Sequence, residues 1–127
     1  MGKFTYKYLG DRDLRDAKIL LDAGSYTASG RLSQQSLEKN MKHWIELQGD
    51  TSHIPLLSTH NIVKMYGVIC DLGGLTFNKY DRSFVSLLKD YYFDVNYPGE
   101  SCRELDKEEA EDAYNFVVRI NESLAKQ

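Results

Sequence analysis

Five residues have types suited to binding or proton transfer: Lys42, His60, Asp94, Asn96 and Tyr97. A lysine meets a phosphate as a point charge, and a histidine titrates near neutral pH. Carboxylate, amide and phenol together make a polar rim with one aromatic face. Such a face can stack on a nucleobase for ~1–3 kcal/mol. The last three fall in the densest run of the chain, from Tyr91 through Phe93 to Tyr97, Pro98 and Gly99. Each of the five also has a structural reading. Asp94 and Asn96 can bond to the backbone of a helix end and turn, and His60 at a helix start can cap it or reach a neighbouring helix. Both readings stay open at this level. Arg31, Glu38, Lys39 and Lys42 are a solvated face or a cationic stripe. Arg31 and Lys42 lie ~16 Å apart along a helix, too far to hold one phosphate.

Other chemistries find no footing. Cys70 and Cys102 stand alone, with no Cys-x-x-Cys pair and no histidine at zinc-ligand spacing. No metal and no cofactor are expected. Nothing pairs a nucleophile with a base, no glycine-rich phosphate loop is present, and Gly73-Gly74 reads as a helix stop. A net charge of -3 over 127 residues argues against a general nucleic-acid binder. No apolar run approaches the ~20 residues of a membrane span, and the first residues are too polar for a signal peptide. Together with two isolated cysteines, this leads to the expectation of a cytoplasmic protein away from membranes.

The elements that must position these residues are helical. After a lead-in over 1–10, Asp11 caps a helix running to Asp22, with Leu14, Ala17 and Leu21 on one face and Gly24 to end it. Ser25 opens a second helix to about Gln48. Its seam is Tyr26, Gly30, Ser33, Leu37, Met41 and Trp44, and its opposite stripe is polar. After a polar loop through Pro55, Ser58 or Thr59 caps a third helix from His60 to Asp71. That helix is apolar over more than half its circumference and so is expected to be central. Asp81 caps a fourth helix, which must stop before Tyr97 because Pro98 disfavours helix at that residue. Asp106 and Glu109 form a capping-box pair opening a fifth helix to about Ala125. No alternating strand pattern competes. The expected fold is an all-α, five-helix, up-and-down bundle forming a single domain over 1–127.

The order of these motifs resembles the HEPN family (higher eukaryotes and prokaryotes nucleotide-binding domain). The resemblance rests on Leu14…Ala17…Leu20-Leu21…Gly24…Tyr26, on Gln34-Gln35…Glu38-Lys39…Lys42, and on Thr59-His60-Asn61-Ile62. It rests also on Tyr92 to Gly99, similar to a Tyr…Arg-Tyr-Pro segment of one branch, and on the Ala- and Glu-rich last helix. Asn96 stands where that branch has Arg, which removes a cation able to fork onto phosphate. The ribonuclease members carry Arg followed four to six residues later by His near the last helix. Here the histidines are 43, 53 and 60, so that pair is absent. The resemblance implies a homodimer and a non-catalytic nucleotide- or polynucleotide-associated module. It also implies a nucleotidyltransferase partner in a toxin–antitoxin or stress-response system. A divergent ribonuclease and a dimeric scaffold without a ligand are the alternatives.

Overall fold

The computed structural model describes residues 5–49, 51–96 and 104–126, with the backbone alone at 51 and 92–96. Five α-helices follow one another: α1 (Tyr6–Asp22), α2 (Tyr26–Leu47), α3 (Ile62–Asp71), α4 (Lys79–Asn96) and α5 (Lys107–Ala125). A 3-10 helix, Thr51–Ser58, lies between α2 and α3, so the expected polar loop is itself wound and six helical elements replace five. Among the described residues there is no strand.

Local chemistry sets the boundaries. Thr5 Oγ1 accepts the Tyr8 N–H at 3.1 Å, so α1 starts five residues before the expected Asp11 and takes in residues 6–10 of the expected lead-in. Asn61, rather than Ser58 or Thr59, caps α3 by accepting the Lys64 N–H at 3.1 Å. Asn78, rather than Asp81, stands at the start of α4, its Oδ1 accepting the N–H groups of Tyr80 (2.9 Å) and Asp81 (3.1 Å). Asp81 is thereby left free for a tertiary role. The capping box of α5 forms as expected, with Glu109 N–H on Asp106 at 2.8 Å and Asp106 N–H on Glu109 at 3.0 Å. α4 spans Lys79–Asn96, and the expected stop before Tyr97 lies outside the described residues.

The central element is α2, not the more apolar α3. α1, α3, α4, α5 and the 3-10 helix all pack on α2. Small residues allow that crowding. Ser29 is fully buried and its hydroxyl donates to the Ala17 carbonyl at 2.7 Å, while Gly30 sits under Leu105 and Tyr91. Ser36 receives Asn121 Nδ2 from α5 at 3.1 Å. On the remaining side, Leu37, Met41, Trp44 and Ile45 join Ile62, Met65, Tyr66 and Ile69 of α3 in one core. Val85, Leu88 and Tyr91 of α4 and Val117, Ile120 and Leu124 of α5 complete it.

The helix directions depart from strict up-and-down alternation once. The 3-10 helix carries the chain back along α2, because His60, just after it, reaches Glu38 in mid-helix. α3 then runs beside α2 in the same direction, and its end at Leu72 and Gly73 shares a cleft with Trp44, Leu47 and Gln48.

The exit from α3 is built by two glycines with different duties. Gly73 has φ +85°, a left-handed conformation that favours glycine. Gly73 N–H bonds the Cys70 carbonyl at 3.1 Å and Gly74 N–H the Ile69 carbonyl at 2.8 Å, which is a Schellman ending. Gly74 lies directly on the Trp44 indole, and a Cβ there would sit 2.7 Å from Ile69 Cγ2 as well as inside the ring's van der Waals surface. Gly74→Ala is expected to cost about 1–3 kcal/mol, the range for overpacking a filled core. Urea unfolding monitored by Trp44 fluorescence measures it directly.

Candidate functional site

Two of the expected site residues meet on one carboxylate. Glu38 Oε2 accepts Lys42 Nζ at 3.1 Å and lies 2.8 Å from His60 Nδ1, while Oε1 receives Gln34 Nε2 at 3.4 Å. Glu38 and Lys42 are each only 6 % exposed, whereas half of the His60 side chain is open to solvent. The Lys42 ammonium also faces the Tyr6 ring, 5.8 Å from its centroid. The stripe of α2 expected to be solvated is therefore buried at Glu38 and Lys42, because α2 is covered on several sides rather than one. Arg31 remains exposed. Lys39, the other cation of that stripe, is bonded to the buried Asp13 of α1. Lys42 thus spends its charge inside the protein, and His60 is the group of this junction that faces outward.

Asp94 and Asn96 lie in the last turn of α4, where the backbone alone is described, and Tyr97 lies outside the described residues. α4 spans 18 residues, so its last turn is roughly 20 Å or more from its first. The four described residues of the expected five therefore divide between the Glu38 junction on α2 and the far end of α4.

A cleft of about 460 Å³ opens elsewhere, between the α3–α4 connector and the end of α5. Its walls are Gly73 to Asn78 on one side and Arg119, Ser123 and Lys126 on the other, with Tyr66 and Asp81 between them. The volume is within the range of small-molecule sites. Tyr66 organises the connector: its hydroxyl donates to the Asn78 carbonyl at 3.3 Å and accepts the Asn78 N–H at 3.0 Å. Burial pushes the Tyr66 phenol pKa up, so it stays protonated and available for both bonds. Phe77, 57 % exposed, presents a ring tilted 50° from Tyr66 at a centroid distance of 6.2 Å. Opposite it, Arg119 forms a two-pronged ion pair with Asp81, Nη2 to Oδ1 at 2.7 Å and Nη1 to Oδ2 at 3.3 Å. That bond raises the Arg119 pKa further, so its charge is fixed. The guanidinium rests on the Phe116 ring at 5.2 Å, and Phe116 stacks on Phe84 at 4.6 Å. Arg119 and Ser123 fall on one face of α5 by their four-residue spacing, and Lys126 caps the helix just beyond them.

Sequence reasoning missed this cleft. Asp81 reads as a cap and Arg119 as one charge on an amphipathic helix, and 38 positions separate them. The available signal was the connector itself, where Phe77, Asn78, Lys79, Tyr80 and Asp81 mix rings, charges and an amide. Among the described residues, no three His, Cys, Asp or Glu side chains gather as a metal site would need. Likewise, no described helix is long and apolar enough to cross a membrane.

An all-helical domain whose second helix is wrapped by the others, with a polar, ring-lined cleft at one end, is the class these observations define. The HEPN domain family model matches residues 7–127, and the chain belongs to that family. Two solved structures share the fold. The TT1696 protein from Thermus thermophilus is 20 % identical, with a TM-score of 0.74 over 95 % of this chain and 94 % of that one. ST0689, an archaeal HEPN homologue, is 24 % identical, with a TM-score of 0.68 over 96 % of this chain and 93 % of that one. No curated protein matches the sequence.

The Glu38 junction has a clear energetic consequence. Removing Glu38 leaves the Lys42 ammonium buried beside a ring with its carboxylate gone. Glu38→Ala is expected to destabilise the fold by about 3–5 kcal/mol, the cost of breaking a buried pair from one side. Replacing both, with Glu38→Leu and Lys42→Met together, is expected to recover most of that loss. Equilibrium unfolding of the three proteins tests the difference.

Proposed function

We propose that this domain is a non-catalytic module that binds a nucleotide or the end of a polynucleotide. In this reading it works as a homodimer beside a nucleotidyltransferase partner of the toxin–antitoxin or stress-response type. The observation that carries the reading is the 460 Å³ cleft, lined by both the exposed Phe77 ring and the cationic residues Arg119 and Lys126. A base stacks on a ring, and a phosphate suits a guanidinium fork and an ammonium. The Asn78 side chain is taken up in capping α4, so base recognition there rests on stacking more than on an amide reader.

The net charge of -3 favours a small nucleotide over a long, non-specifically held polymer. Should a polymer bind, His60 and the α4 end carrying Asp94, Asn96 and Tyr97 are the further contacts. Lys42 supports His60 from inside through Glu38. The non-catalytic reading is supported by the cleft's carboxylate, Asp81, being tied to Arg119, with no histidine among the described lining residues.

Nucleotide binding to the folded state stabilises it by mass action, by about 2.7 kcal/mol when the ligand is at a hundred times its Kd. ATP, AMP and GTP are therefore expected to raise the melting temperature in a thermal-shift titration. Phe77→Ala is expected to abolish the rise while leaving the unliganded melting temperature close to its original value, since the ring is mostly exposed. A flat response to all three nucleotides would rule the reading out.

A further inference from the structure

We propose that Arg119 is the phosphate-binding group of the cleft and that Asp81 is its built-in competitor, so that an anionic ligand binds by displacing the Asp81 carboxylate from the guanidinium. This inference rests on the nucleotide reading and names what selects the ligand at that site.

The geometry is that of a carboxylate filling a phosphate's place. Asp81 engages Arg119 through both oxygens and both terminal nitrogens, the fork-on-fork arrangement in which a phosphate also binds. The guanidinium has a second support besides Asp81, because it lies over the Phe116 ring, 5.2 Å from the centroid, and Phe84 stacks on Phe116. In this proposal that ring contact holds Arg119 in the cleft when the carboxylate leaves. More than half of the Arg119 side chain is open to solvent, while that of Asp81 is only 19 % exposed. A ligand thus meets the cation first, from the cleft side. Lys126, which caps the end of α5, also lines the cleft and adds a second positive charge there.

Asp81 is not required to start its helix, since Asn78 does that. Its side chain instead contributes negative charge to the cleft. That charge repels a weakly charged anion and yields to one whose two or three oxygens replace both of its bonds. The site therefore discriminates by phosphate against nucleoside. The class of ligand it takes is a phosphate monoester or a short polyphosphate bearing an aromatic base.

The test titrates AMP, adenosine and inorganic phosphate by calorimetry into the full chain and its Asp81→Asn and Arg119→Gln variants. Asp81→Asn is nearly isosteric and keeps one bond to Arg119; Asp81→Ser serves as a second variant should the first fold poorly. In Asp81→Asn, AMP and inorganic phosphate are expected to bind about fivefold or more tightly, the scale of an exposed ion pair removed. Adenosine is expected to be unchanged, and Arg119→Gln is expected to lose the advantage of AMP over adenosine. AMP binding that is unaltered or weakened in Asp81→Asn would overturn the competitor role while leaving the nucleotide reading intact. Phosphate binding that tightens in Asp81→Asn while adenosine and AMP show no base-dependent affinity would uphold the anion site and overturn the nucleotide reading. Absence of binding by every probe to every protein would overturn both.

Discussion

Everything in this domain is packed around α2, and a helix covered from several sides cannot have a dry seam and a wet face. Many of its polar residues go inside with the rest, where burial favours those with a bonding partner, while Ser33 Oγ and Gln34 Oε1 are buried without one among the described residues. Ser29 bonds a carbonyl of α1, Ser36 takes Asn121 of α5, and Lys42 and His60 converge on Glu38. The glycine and serines that let the neighbours approach belong to the same solution. Close packing of backbones and buried hydrogen bonding each make the other feasible, because a short interhelical distance is what brings the donors and acceptors within reach.

That arrangement gives Glu38 an unusual position. It joins the middle of α2 to the segment that follows the 3-10 helix, and so helps decide where α3 begins and which way it runs. Because α3 runs alongside α2, its glycine ending meets Trp44 near the end of α2. From Gly74 the connector passes under the Tyr66 hydroxyl to Asn78, and α4 starts with Asp81 opposite Arg119. The cleft is thus a consequence of the core's geometry, positioned by a chain of contacts that begins at the buried carboxylate. A site built on helix ends and a connector pinned at both sides is held more firmly than one on a free loop.

Function and fold rest on different footings. Membership of the HEPN family accounts for the fold, and the two structural neighbours, both under 25 % identical, speak to the fold alone. What points toward a ligand is local: an exposed ring, a fixed cation and a carboxylate that occupies a phosphate's geometry. The family resemblance points to the end of α4, where Asn96 lacks the positive charge of its branch. In the proposed reading the charge suited to a phosphate is instead Arg119 of α5, which meets Asp81 near the start of α4.

The amino-acid sequence by itself determined the helices, most of their ends and the family. Those are local properties, set by apolar spacing, by the Asp106–Glu109 box and by glycines after α1 and α3. It also showed the apolar seam of α2 from Gly30 to Trp44. It did not show that Glu38 and Lys42 are buried, because periodicity identifies one packed face and is silent on how many neighbours a helix has. Nor did it show that Asn78, rather than the expected Asp81, caps α4, since both residue types can do so. The pairings of Glu38 with His60, 22 positions away, and of Asp81 with Arg119, 38 away, were decided by tertiary structure alone. A charge carries no mark of its partner until the chain has folded back to supply one.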